Sequence, residues 1–320
     1  MITTSTRDTL RYARFCSPQV TASIDWCETN YAWSPFVAEF WNTLSSLAIF
    51  FAGIYGWRIA VLDDLETRFQ VSQLLVASVG LGSACFHCTL RHVEQQCDET
   101  PMVLSLLNWF YELFADTWEH SRFLSAVVPV LLAAYGVGFA VLHNSYRWTT
   151  FFQVHFTVGA MINLTRCIYV SREKGLGPAR GLLKRGMIAT VVAVFCWMTD
   201  FHFCGHLQSG DVPNPEGHAW WHVFIAYAIL QSTSFSIYRR CTQLGIPVVI
   251  TRGPLGIWPT VRVVQQATGS KAASPVDVDV DVATKESRVL PRSKSDPRFT
   301  AMTCQASALR LRKYNGNLQS

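Results

Sequence analysis

Gln70-Val71-Ser72-Gln73-Leu74-Leu75-Val76-Ala77-Ser78-Val79-Gly80-Leu81-Gly82-Ser83-Ala84-Cys85-Phe86-His87-Cys88-Thr89 runs without one aspartate, glutamate, lysine or arginine. About 20 helical residues cross the roughly 30 Å hydrocarbon core of a bilayer, so this stretch reads as a membrane span. Six further apolar runs flank it, at roughly 39–60, 101–114, 123–143, 148–170, 183–203 and 218–238. The third span of the seven, 101–114, is short, with room to extend through Trp118. The expected fold class is all-α: an integral membrane bundle of seven transmembrane helices.

Half of the 320 residues are hydrophobic and 15 % are charged, against about 25 % charged in a soluble domain. A disordered chain, a coiled coil and a small disulfide scaffold are excluded. The net charge of +5 is spread over loops and tail rather than one face, so no nucleic-acid partner is expected. Lysine and arginine in short loops set orientation. Arg58 and Arg68, then Arg122, then Arg172, Lys174, Arg180, Lys184 and Arg185 alternate with loops holding only Arg91 and Arg147. Arg7, Arg11 and Arg14 pull the other way but are outweighed by the loop cluster. The N-terminus is expected on the lumenal or extracellular side and the C-terminus in the cytosol. Residues 1–30 lack the apolar core of a cleavable signal, which leaves the first span as a signal anchor. Cys27 and Cys204 both fall on the oxidising side and could pair.

Ionisable groups in a span are costly and demand a reason. Ser83 and His87 stand four apart near the end of the second span, Asp98 and Glu99 just before Pro101, and His218 and His222 at the start of the seventh. Residues four apart share a helix face. The second span runs outward while the third and seventh run inward, so all these groups meet at the lumenal end. Taken alone, a His-x3-His pair at a helix start serves packing or the interface more often than metal. Three imidazoles at one depth suit Zn²⁺, with an open fourth position where water is acidified. Asp98 is placed to take and return a proton, and Ser83 to stabilise an oxyanion. The chemistry described is hydrolysis of a carbonyl substrate reached from the membrane. A second cluster, Asp25-Trp26-Cys27-Glu28-Thr29-Asn30 with Glu39 and Asn42, offers hard oxygen donors of the kind Ca²⁺ takes. It lacks the spacing and glycine of an EF-hand and, by itself, more often describes a solvated acidic loop.

These residues together resemble the alkaline ceramidases, within the seven-span hydrolase superfamily that includes progestin and adipoQ receptors and GPI-remodelling proteins. The resemblance runs from Asp25 to about Tyr238, and Asp25-Trp26-Cys27-Glu28-Thr29-Asn30-Tyr31 with His218-Ala219-Trp220-Trp221-His222 narrows it to the ceramidases. It implies zinc on His87, His218 and His222, Asp98 as general base and Ser83 at the oxyanion. It further implies calcium on Asp25, Glu28, Asn30, Glu39 and the Trp26 carbonyl, and a Cys27–Cys204 disulfide. The implied activity is ceramide hydrolysis to sphingoid base and fatty acid, in endoplasmic reticulum or Golgi membranes. The expected organisation is a lumenal segment (1–38) with the calcium-binding loop, a catalytic domain (39–240) and a cytosolic, mostly disordered tail (241–320), the last read from its composition. Cys85, Cys88 and Cys97 depart from the bulkier apolar residues expected there, leaving chain preference open. An adipoQ-type receptor, a GPI-lipid hydrolase and a transporter or scaffold with incidental histidines are the rival readings.

Overall fold

The computed structural model describes residues 20–209, 213–253, 256 and 258–264. Among these lie seven long helices: α1 (Phe40–Leu62), α2 (Thr67–Thr89), α3 (His92–Phe114), α4 (Arg122–Tyr146), α5 (Thr149–Val170), α6 (Arg180–Gln208) and α7 (Gly217–Leu244). An antiparallel hairpin follows, β1 (Val248–Thr251) and β2 (Thr260–Val263), pairing Val248 with Val263 and Thr251 with Thr260. α1, α2, α4 and α6 are long and apolar enough to cross a membrane. The other three have the length but carry more polar groups, among them Asp98, Glu99 and Glu112 on α3 and His218 and His222 on α7. Exposed Val130, Leu131 and Val141 on α4, Val154, Val158 and Met161 on α5, and Val191 and Phe195 on α6 form apolar faces. Lipid is the solvent that takes faces of this kind.

α2 packs between α1 and α3, α7 rests on α1 and α6, and α3 carries α4 and α5. Small residues allow the tightest of these contacts. A Cβ on Gly82 of α2 would lie 1.9 Å from the Cys97 carbonyl of α3, so the backbones touch beside Ser83. Pro101 has no N–H to give to that same carbonyl four residues back, which leaves it facing α2. The helix nonetheless passes through Pro101, starting nine residues earlier than the expected opening of the third span. Asp98 and Glu99 are therefore helical and buried, not loop residues before a helix. α6 likewise runs on through Cys204 and His206, both expected in a loop.

At the end remote from the N-terminal segment, a core of Leu113, Cys167, Val170, Leu176, Leu182, Phe235 and Ile237 is closed by ion pairs. Arg68 and Arg240 each reach Glu66 and Glu119, while Arg239 bridges Asp116 and Glu173 at 2.7 Å. The chain beyond α7 stays on the body as the hairpin, with Val261 in this core. Of the mostly disordered tail expected over 241–320, the end of α7 and the hairpin are thus ordered; residues 265–320 lie outside the described residues, as do residues 1–19.

Candidate metal centre

The N-terminal segment crosses the α2–α3 turn, where the amides of Thr21 and Ala22 both donate to the Leu90 carbonyl at 3.0 Å. It then meets the start of α1, which is tied to the end of α2 by Glu39 N–H donating to the His87 carbonyl at 3.0 Å. Glu28, buried, accepts from the amides of Trp41 (2.8 Å) and Asn42 (2.9 Å). A carboxylate thus caps the first turn of α1 from another segment, satisfying donors a helix cannot satisfy itself.

His87, His218 and His222 are all buried, and one ligand nitrogen of each lies within 4.8 Å of the others. Their ring centroids are 4.6–5.1 Å apart. Two of the rings are held from behind. The Nδ1 of His87 meets the Glu39 carboxylate, and that of His222 meets the Ser45 hydroxyl at 2.8 Å. The ring of His218 stacks on Trp26 with centroids 3.6 Å apart. Buried His87 Nε2 and His218 Nδ1 have no hydrogen-bond partner. Buried nitrogens without partners are rare because each costs desolvation, and three converging imidazoles so arranged fit a metal ion. The carboxylate behind His87 turns its Nε2 lone pair toward the centre, as carboxylates behind metal-binding histidines do.

Ser83 lies beside this group, 3.5 Å from His222 Nε2. Its hydroxyl oxygen accepts from Ser46 at 3.1 Å, leaving its own proton to give. Asp98, buried on α3, stands near the Ser83 hydroxyl. The expected convergence of α2, α3 and α7 is therefore present. Ser45 and Ser46 on α1 were not foreseen, although two adjacent serines inside an apolar span are the signal that could have exposed them. Asp200 on α6 accepts from the amides of Cys27 (3.0 Å) and His218 (3.2 Å). It ties the N-terminal loop to the first turn of α7.

The acidic loop borders a cleft of about 410 Å³ lined by Asp25, Trp26, Glu28, Thr29, Asn30 and Gln208, among others. Asn30 Nδ2 donates to both oxygens of Asp25, at 3.2 and 3.1 Å. Burial pushes the Asp25 carboxyl above its usual range, and Glu39 adds to this against the pull of Asn30. Burial also raises Glu28, opposed by the amides it caps. Glu216, at the start of α7, is pushed up to about 7 by burial and by Glu28, Asp200 and Glu39. Carboxylates crowded in this way are the environment a cation relieves. Glu39 stands in both groups: its Oε1 accepts from the Trp26 amide at 3.0 Å while Oε2 serves His87. A disulfide joins Cys27 to Cys204, with Cα atoms 5.2 Å apart, and anchors the loop on α6.

The ceramidase family matches residues 18–251. The chain is 32 % identical over 251 residues to the alkaline ceramidase of Arabidopsis thaliana, covering 78 % of this chain and 95 % of that one. It is 30 % identical over 249 residues to alkaline ceramidase 3 of Mus musculus, covering 75 % and 92 %. It is 26 % identical over 230 residues to alkaline ceramidase 1 of Homo sapiens, covering 64 % and 78 %. The matched stretch takes in the acidic loop, the three histidines and every helix between them, and the chain belongs to the ceramidase family.

Proposed function

We propose that this chain is a zinc-dependent intramembrane amidase that hydrolyses ceramide to a sphingoid base and a free fatty acid, with calcium in support. The observation that carries this is the triad of buried, converging imidazoles beside the Ser83–Asp98 pair. Three neutral nitrogen donors suit zinc, and three-ligand sites leave room for substrate. Zinc held there would polarise the amide carbonyl and acidify the attacking water. Asp98 takes the proton as the water oxygen bonds to the carbonyl carbon. Ser83, whose oxygen already accepts from Ser46, donates its proton in a hydrogen bond to the developing oxyanion. Asp98 then delivers its proton to the amine nitrogen as the C–N bond breaks, so the atoms of one water end on the two products. The two chains of the substrate remain in the apolar surroundings of the bundle.

In this reading all seven helices span the membrane of the endoplasmic reticulum or Golgi, with the N-terminus and the metal centre toward the lumen and the C-terminus cytosolic. Calcium is held by Asp25, Glu28, Asn30, Glu39 and the Trp26 carbonyl. Its support of the reaction runs through Glu39, which backs His87, and Trp26, which stacks on His218.

The test is turnover of a ceramide panel by purified protein with and without a chelator. His218→Ala and Asp98→Ala should each abolish hydrolysis while membrane insertion persists; full activity in either removes the assigned role. Asn30→Ala should weaken the response to added calcium and leave zinc content unchanged. An unaltered calcium titration would take the cation away from that loop.

A further inference from the structure

The hairpin after α7 is fastened to both α1 and α7. Asp63, just past α1, receives the Arg262 guanidinium at 2.8–3.0 Å and the Val263 amide at 2.9 Å. Gln231 of α7, fully buried, donates to the Pro259 carbonyl at 3.1 Å. Gly253 has φ +62°, and a Cβ there would sit 2.0 Å from the Trp258 carbonyl, so glycine alone fits where these two residues meet. Trp258 packs onto the bundle, against a layer formed by Ile49, Ala52, Val76, Val79 and Ala226 with Met102, Ile225 and Ile229.

This layer is the floor of the metal centre. Ile49 follows Ser45 by four residues, Val79 precedes Ser83 by four, Met102 follows Asp98 by four and Ala226 follows His222 by four. At 1.5 Å per residue the layer begins about 6 Å below the polar groups and extends to about 10 Å at Ala52, Val76 and Ile229, each seven residues away. Each helix that brings a group to the centre stands on it, and Trp258 reaches it from outside the bundle. The family match ends at residue 251, before Trp258 and β2.

We propose that Trp258 is a positioning residue and the hairpin a strap. Resting on the metal-centre reading above, it holds α1 against α7 so that Ser45 and Ser46 keep the His222 ring turned toward the metal. The geometry makes a segment beyond the family's shared region part of the catalytic apparatus of this chain.

The test uses full-length protein carrying Trp258→Ala, Trp258→Phe or Arg262→Gln. Outer partners of metal ligands are worth about 10–100-fold in affinity or activity. Trp258→Ala should speed zinc loss to a chelator and lower kcat by that order with KM little changed. It should also shift the visible spectrum of the cobalt-substituted protein, and Trp258→Phe should restore most of each loss. Arg262→Gln, which frees the strap without emptying the floor, should move zinc retention the same way. Wild-type zinc retention and kcat in Trp258→Ala would overturn the proposal, as would a rise in KM alone. Should Trp258→Ala not fold, Arg262→Gln with wild-type retention overturns it. Zinc retention needs no substrate, so a wild-type protein inert toward ceramide defeats the amidase reading without deciding this one.

Discussion

Glu39 does more than its place in the acidic motif suggested. Its Oε2 accepts from His87 and, at 3.0 Å, from Asn42, while Oε1 takes the Trp26 amide. With the Nδ1 proton committed to that carboxylate, His87 offers Nε2 as a lone pair in the correct tautomer. Glu39→Gln preserves shape and removes the charge. It should lower zinc affinity and ceramide turnover by about 10–100-fold, read from zinc content after dialysis against a graded chelator. Unchanged retention would mean that the carboxylate does not tune the ligand. The residue's presence at a helix start was legible in the sequence; its second contact was not, because His87 lies 48 residues away. The stacking of Trp26 on His218 was hidden for the same reason, as the motif pointed only to that residue's carbonyl.

At the scale of elements, the seven helical runs were legible from apolar length, and the meeting of α2, α3 and α7 from alternating direction. Their ends were less so. A proline preceded by charged residues reads as a helix opening, since proline is well placed in a first turn. Here α3 already has nine residues before Pro101, and its packing on α2, α4 and α5 holds the helix together across the lost backbone bond. The register of α2 on α3 depends on Gly82. Gly82→Ala would drive a methyl into the Cys97 carbonyl and part Ser83 from Asp98. Overpacking of this kind costs about 1–3 kcal/mol. The expected result is a lower thermal midpoint together with a fall in kcat. A variant with wild-type stability and turnover would show that the two helices can separate freely.

Across the whole molecule, polar chemistry is sorted to the two ends of an apolar bundle. The end away from the three histidines is closed by ion pairs. Burial works to raise the Glu119 carboxyl, but Arg68 and Arg240 overcome it and hold the group below its usual range. A depressed carboxyl stabilises the fold above its unfolded pKa, and that stability is lost as pH falls through the folded value. Glu119→Gln should therefore cost about 1 kcal/mol at neutral pH. The gap from wild type should close as pH drops below about 4, followed by thermal unfolding in detergent; a gap that persists in acid would exclude the ion pairs as its source. The sequence by itself determined the helical class and the end of the bundle at which the three histidines gather. Those follow from apolar length and helical period, which are properties of short stretches of chain. Only the tertiary structure decided which atom of Glu39 serves His87, how Ser45 and Asp200 hold the rings and loop, and where Trp258 comes to rest. Each of those contacts joins residues far apart in the chain, and local pattern carries no record of how such distant surfaces pack.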